Sequence, residues 1–486
     1  MKFILVLQLA FTFAIIIEKP AFAQTKVDKF EYVPQDLVFW QEVTMAIKDG
    51  NGPYIIKIGE QKYRSNKKDT LAASEGELAM AIGFKMNKNY YASLLALKNL
   101  ILNKQGTGIA IRALFELEGI AEVTEPDEDL MAELVYEQDY ENLPVELNDF
   151  INYWTAYFNT KNDFTTWADK DKAKISESSF WAQKLTYVKA LEALKKNDLE
   201  QSLKIFTELA NGEKTFSKIK TEASHQMARL IFERADYESS YELFKKVELN
   251  PREQGQLLLE RAWSKYYQKD YSKALGLLTA LEAPLFDPSR SAEAYILKML
   301  IYKELCYYES AFDVLKEFNG RFQKSIESIK RRRDLKRDQA LVNLAILDYG
   351  ILNQVSYLNR LKEESFALDL LGLDRTAYFI NLNKKYNLKI KYLDASLDFS
   401  MILQLRKVAN ELLDWNEQIS FLDYQTRIDS LRIQRPMAEV NYKPEEIPHM
   451  SFEKVYWIFK GEFWLDELED LQVLVQSKCG VDGDKR

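Results

Sequence analysis

The side chains best suited to acid–base, nucleophilic and metal chemistry are scarce in this chain of 486 residues, which holds two histidines and two cysteines. His225 and His449 stand far apart, with no second histidine at i+4, no His-Glu-x-x-His and no Gly-x-Ser-x-Gly. A histidine metal site or a Ser-His triad therefore lacks its parts. Phosphate-cradling loops are also missing, since Gly106-Thr107-Gly108 has nothing else of such a pattern around it. Two carboxylates remote in sequence would suffice for a glycosidase, and 74 acidic residues leave that open. Cys306 and Cys479 belong to no metal or redox motif. An exported chain could pair them, and closing a loop of over ~100 residues would stabilise by about 4 kcal/mol in the chain-entropy account. Sequence does not establish the proximity, so the pairing stays open. The expectation is no catalytic, metal or cofactor-binding residue, no cofactor, and a non-enzymatic protein.

The charge balance of 66 basic to 74 acidic residues argues against nucleic acid as a partner. Two local runs stand out. From Glu116 to Glu146 there are twelve acidic residues and no basic one, which could receive a basic segment or simply be a solvated face. Conversely, Lys330-Arg331-Arg332-Arg333-Asp334-Leu335-Lys336-Arg337 carries six positive charges. Arg331, Arg332 and Arg333 are the residues that would contact anionic envelope components, against the simpler reading of a solvated helix.

Long helices must position these groups. The 17 glycines and 11 prolines are about 6% of the chain, against roughly 12% in average usage. With 47% apolar and 29% charged residues, few turns in a foldable chain mean helices. The N-terminus reads as a secretory signal: Met1-Lys2, an apolar run from Phe3 to Ile17, Pro20, then Ala21-Phe22-Ala23. That run is too short for the ~20 residues of a membrane span. Residues 1–23 are thus expected to be removed, leaving 64 basic and 73 acidic residues, no stable membrane insertion and a periplasmic address.

Self-comparison finds a repeat: Asp198-Leu199…Ser202…Phe206, Asp236-Tyr237…Ser240…Phe244, Asp270-Tyr271…Ala274…Leu278 and Tyr307-Tyr308…Ala311…Leu315. The turn residues lie 38, 34 and 37 apart, and eight residues before each stands Ala190, Ala228, Ala262 or Met299. Small residues there let a first helix approach its neighbour. Over residues 183–320 this grammar resembles the tetratricopeptide repeat (TPR) family. It departs where the family usually has Ala late in the second helix, for this chain has Leu209, Val247, Leu281 and Phe318. The register extends back through Asp163-Phe164 and Asn89-Tyr90…Ser93…Leu97, with a degenerate repeat at about 108–123 and 127–141 between them. About seven helix pairs are expected over 72–322. Residues 24–71 would be an N-terminal capping segment, in which Gly50, Gly52, Pro53 and Gly59 around Tyr54–Ile58 suggest one small hairpin.

The resemblance implies a groove lined by first helices. Its positions fall on Tyr187, Leu191 and Lys195, then His225, Arg229 and Glu233, then Leu259, Trp263 and Tyr267, then Ile296, Leu300 and Glu304. Tyr187, His225, Arg229, Trp263 and Tyr267 are the expected partner contacts, because Trp, Tyr and Arg dominate hot spots. Packing of Trp263 against a neighbouring helix is the plainer alternative.

Beyond 322 the pattern changes. Leu344, Leu347, Ile351, Leu358 and Leu361, then Met401, Leu405, Val408, Leu412, Trp415, Ile419 and Leu422, keep a heptad-like spacing. Residues 323–435 read as a long antiparallel helical hairpin, though ordinary core stripes fit as well. A Pro-rich linker, 436–448, precedes an aromatic and helical cap at 449–486. There Trp457-Ile458-Phe459-Lys460-Gly461-Glu462-Phe463-Trp464-Leu465-Asp466-Glu467-Leu468 resembles the end of periplasmic TPR proteins of deltaproteobacteria, some linked to gliding motility. The expected fold is therefore all-α: a tetratricopeptide-like α-solenoid, the helical hairpin and a C-terminal aromatic cap. The expected role is a periplasmic scaffold or adaptor for protein partners in a cell-envelope complex, with a carbohydrate- or peptidoglycan-binding or processing protein as the alternative.

Overall fold

The computed structural model describes residues 32, 34–68, 70–104, 107–136, 143–163, 179–247, 251–373, 376–433, 461, 463 and 468–479. The leader 1–23, the linker 436–448 and most of the aromatic run 455–468 lie outside the described residues. Among the described residues the chain is all-helical, with eighteen α-helices and no strand. They fall in two compact units, residues 1–147 with 367–380 and residues 148–366 with 381–486.

The first unit holds α1 (Leu37–Lys48), α2 (Gly52–Ser65), α3 (Leu71–Met86), α4 (Tyr90–Asn103), α5 (Gly108–Val123) and α6 (Glu128–Tyr136). The hairpin expected around Tyr54–Ile58 is helix α2 instead. Asn51 caps it by accepting the Tyr54 N–H at 3.1 Å, and Pro53 sits in its first turn, where a missing N–H costs nothing. Its glycines are a packing seam. A Cβ on Gly59 would lie 2.8 Å from the Gly76 carbonyl oxygen, and one on Gly83 2.8 Å from Ile56. Glycines seven apart on both α2 and α3 thus let two backbones nearly touch. The acidic run is partly neutralised within this unit: Glu116 takes Lys85 at 2.8 Å and Arg112 at 2.6 Å, and Lys98 pairs with Glu133. Burial pushes the Glu116 carboxyl up, but the two cations outweigh it and hold it below the ordinary value.

The second unit takes most of α7 (Val145–Asp163), then α8 (Phe180–Lys195), α9 (Leu199–Asn211), α10 (Ser217–Glu233), α11 (Tyr237–Lys245), α12 (Pro251–Tyr267), α13 (Tyr271–Ala280), α14 (Ala292–Glu304) and α15 (Tyr308–Lys330). From α8 to α15 each helix packs on the next. The repeated turns have one geometry. Asn197, Ala235, Lys269 and Cys306 are left-handed at φ 59–63°, and Lys88 matches them at 60° before Asn89 in the first unit. After them Asp198, Asp236 and Asp270 cap the second helix through the N–H three residues on, at 3.1–3.2 Å. The small-residue seam is hydrogen-bonded: Ser202 donates to the Ala190 carbonyl at 2.9 Å, Ser240 to Ala228 at 3.0 Å and Ser93 to Ala81 at 2.7 Å. Leu209, Val247, Leu281 and Phe318 are buried and fill the space between successive pairs.

The chain continues through α16 (Gln339–Ile346), α17 (Tyr349–Asp369) and the 57-residue α18 (Ala377–Ile433). The 405–422 stripe of α18 is buried against Phe318, Phe322, Ile326 and Leu341, so it is a core stripe of this unit. Lys303 pairs with Asp429 at 3.4 Å and Lys336 with Asp398 at 2.9 Å along the same side.

Cys306 and Cys479 are joined in a disulfide, their Cα atoms 5.3 Å apart. It fixes an extended tail, 471–479, along α13. The Val473 N–H donates to the Ser272 carbonyl at 3.0 Å and Lys478 N–H to Leu305 O at 2.9 Å. Gly276 makes this approach available, since a Cβ there would lie 1.9 Å from the Leu471 carbonyl oxygen. Leu468, Leu471, Val473 and Val475 join the apolar cluster of α12–α14.

Candidate functional site

The expected partner contacts lie on α8, α10 and α12, the first helices of three successive pairs. Repeats of 34 to 38 residues return equivalent positions to one side of the stack, so residues about one repeat apart become neighbours.

At the centre is Glu260 of α12. Its Oε1 accepts from Arg229 Nε at 3.0 Å and Nη2 at 2.7 Å, and its Oε2 lies 2.7 Å from His225 Nε2. Burial pushes the Glu260 carboxyl up, but the His225 hydrogen bond and the Arg229 charge outweigh it and leave it below the ordinary value. One turn on, the Trp263 indole N–H donates to Glu293 Oε1 of α14 at 2.7 Å. Burial pushes the Glu293 carboxyl up, with the Glu260 charge adding to it and the Trp263 hydrogen bond opposing. Tyr187 of α8 is held at this cluster by a hydrogen bond with Gln226. Its hydroxyl is pushed up to about 12 by burial and then by Glu222. The aromatic side is built by Tyr267, which stacks on Tyr237 at 4.7 Å between centroids and on Trp263 at 5.8 Å, yet remains exposed.

Thus Tyr187, His225, Arg229, Trp263 and Tyr267 come together. Trp263 does pack against a neighbouring helix, through Glu293, while its stacking on Tyr267 keeps it at the cluster edge. Two groove positions are overturned: Leu259 and Ile296 are each 3% exposed and belong to the core. The other two apolar groove positions stay nearer the surface, Leu191 exposed and Leu300 half-buried. Arg331, Arg332 and Arg333 stand exposed at the end of α15, with Arg332 left-handed at φ 52°. Nothing in the structure joins them to the cluster.

Sequence reasoning missed Glu260, Glu293 and Tyr237. Glu260 was findable, because it lies 35 residues after His225, one repeat on, where two cations call for an anion. Chemically the cluster suits recognition. Both Glu260 oxygens are already engaged, one by the Arg229 guanidinium and one by the His225 ring nitrogen, which makes it a poor base or nucleophile. Among the described residues no group of His, Cys, Asp and Glu could hold a metal ion, and no helix is long and apolar enough to cross a membrane.

Comparison with known proteins adds no relative: no family model matches the chain and no curated protein is similar to it in sequence.

Proposed function

We propose that the chain is a non-enzymatic, tetratricopeptide-like α-solenoid scaffold of the periplasm, holding a protein segment against its first helices within a cell-envelope complex, gliding machinery included. The recurring left-handed residue, capping Asp and small-residue seam support the solenoid reading. Tyr386 donating to Glu364 at 2.6 Å, with Lys362 and Asp394 3.9 Å apart, supports an antiparallel run of α17 and α18 as the helical hairpin. The aromatic cap and the cleaved leader belong to the same reading.

The observation that carries the function is the Arg229–Glu260–His225 cluster beside stacked Trp263 and Tyr267: charge and exposed ring surface on successive first helices, the composition of a binding hot spot. Crosslinking in intact cells followed by mass spectrometry identifies the captured proteins. The Arg229→Ala/Trp263→Ala variant should then lose at least ~90% of the crosslinked partner while keeping wild-type helicity, since hot-spot truncations cost about 2 kcal/mol or more. Equal capture by the variant sinks the proposal. Protein recovered with an N-terminus other than Gln24 refutes cleavage after Ala23.

One observation favours a second reading. Two neighbouring acids, Glu260 and Glu293, are shifted in opposite directions beside a tryptophan, as a glycan-processing pair would be. Glycan release from isolated sacculi, abolished by Glu293→Gln, would establish it over the scaffold.

A further inference from the structure

Helix α18 is apolar on two sides, and among the described residues only one of them is covered. Leu405, Val408, Leu412, Ile419 and Leu422 are buried in the unit. On the opposite side Leu388, Tyr392, Phe399 and Leu403 are exposed, and so are Phe421, Tyr424 and Leu431, at 49–69% of their surface. Steps of three and four residues connect the two groups through Arg406, Asn410, Asp414 and Glu417, which are also exposed. At 3.6 residues per turn, this row stays within an arc of about 100° for some 65 Å of helix. Rings and leucines repeated in register at this density are a seam, not scattered surface residues.

We propose that this seam pairs with the same seam of a second copy of the chain, antiparallel, about a two-fold axis beside Asn410. The apolar ends of the row flank a polar centre, and pairing about Asn410 matches them in part, with rings meeting apolar residues at 399/421 and 392/428 while Leu403 meets Glu417 and Tyr424 meets Ser396. The central charges select the direction. Antiparallel pairing about Asn410 sets Arg406 against the second copy's Asp414, twice by symmetry. It sets Phe399 against Phe421 and Tyr392 against Ile428. A parallel pair would oppose Arg406 to Arg406, Asp414 to Asp414 and Glu417 to Glu417, three like-charge contacts in one seam. Neither Arg406 nor Asp414 has an ion pair within the chain among the described residues. Both are therefore available to the partner.

Sedimentation equilibrium of the purified full chain should return a dimer. Arg406→Glu or Asp414→Arg alone should weaken it at least ~10-fold, and the two together should restore it, because the swapped charges again oppose. Asn410→Cys should form an intermolecular disulfide under mild oxidation, whereas Phe399→Cys should do so only when mixed with Phe421→Cys. Phe399→Glu/Phe421→Glu should yield a monomer of unchanged helicity. A monomeric wild type, a double swap no better than the singles, or Phe399→Cys crosslinking to itself overturns the proposal, the last by making the pair parallel.

Discussion

Two arginine–glutamate pairs flank α12 and differ in what surrounds them. On one side of the helix Arg261, whose side chain is 1% exposed, gives Nη1 to Glu469 of the tail at 2.7 Å and lies against the Tyr241 ring. On the other side Glu260 receives Arg229, whose side chain is 42% exposed. The first pair is sealed by the chain itself: Leu468 is buried beside it, Gln254 also donates to Glu469, and the Cys306–Cys479 bridge prevents the tail from drifting away. The second pair leaves its arginine open to solvent. In each pair one ion is buried and the other keeps its solvent: Arg261 is the buried member of the first, with Glu469 39% exposed, and Glu260, 14% exposed, is that of the second. Loss of the first carboxylate therefore strands a buried cation, whereas loss of the second leaves its cation in water.

Gly276→Val should have the largest effect. The added Cβ meets backbone atoms of Leu471 and Gln472, which cannot swing aside as a side chain could, so the tail must leave. The apolar contacts of Leu468, Leu471, Val473 and Val475 and the Arg261–Glu469 pair are then lost together, at a cost of about 3–5 kcal/mol. The drop is read by chemical denaturation, alongside rapid proteolysis after residue 468. A variant with wild-type stability and an intact tail would show that the sealed side is not sealed. Glu469→Gln should rank next, at about 2 kcal/mol, because the amide still accepts from Arg261 but the charge is gone. The same change at Glu260 should cost about 1 kcal/mol or less, since Arg229 recovers water. Equal losses at 260 and 469 would erase the distinction between the two sides.

The capped turns between successive helices were legible because their physics is local. A capping Asp, a small residue four later and another eight earlier lie within one helix pair, so Ala190 with Ser202 and Ala228 with Ser240 are visible to self-comparison. The helical arm was half legible: the 405–422 spacing marked a core stripe, but nothing local said whether its partner was α17 or the preceding repeats. Two features could not be read. Gly52 and Gly59 look like turn residues until α3 supplies Gly76 and Gly83, since a seam exists only between two helices. Gly276 looks like an ordinary helical glycine, because the tail it admits is about 200 residues away in sequence, as the Gln254–Glu469 and Lys273–Glu469 contacts show. The Glu260 cluster was legible in Arg229, His225 and its rings and not in its acids, for Glu260 and Glu293 gain meaning only from the adjacent helices.

The sealed side can also be probed through pH. Lys273 donates to the Glu469 carbonyl at 2.9 Å. Burial pushes its amine down to about 8, against the opposing pull of Asp470. In the unfolded chain it titrates near ~10.4. Between these values the unfolded chain binds a proton that the folded chain does not, so stability rises with pH from about 8 to about 10 and is unaffected by this group below 8. Glu469 acts at the other end. Arg261 holds its carboxyl below the ordinary value in spite of burial, so its contribution is present above the unfolded value and is lost as pH falls through the folded one. Amide exchange at Val473, whose N–H bonds Ser272, should therefore slow between pH 8 and 10 relative to its intrinsic rate and quicken in acid. Lys273→Met should abolish the alkaline change and keep the acid one. Among the described residues no lysine amine is hydrogen-bonded to Glu260 or Glu293, so protection on that side should not follow the alkaline rise. A flat alkaline profile in the wild type would put the Lys273 amine in contact with solvent, and the tail would then cover α13 without excluding water from it.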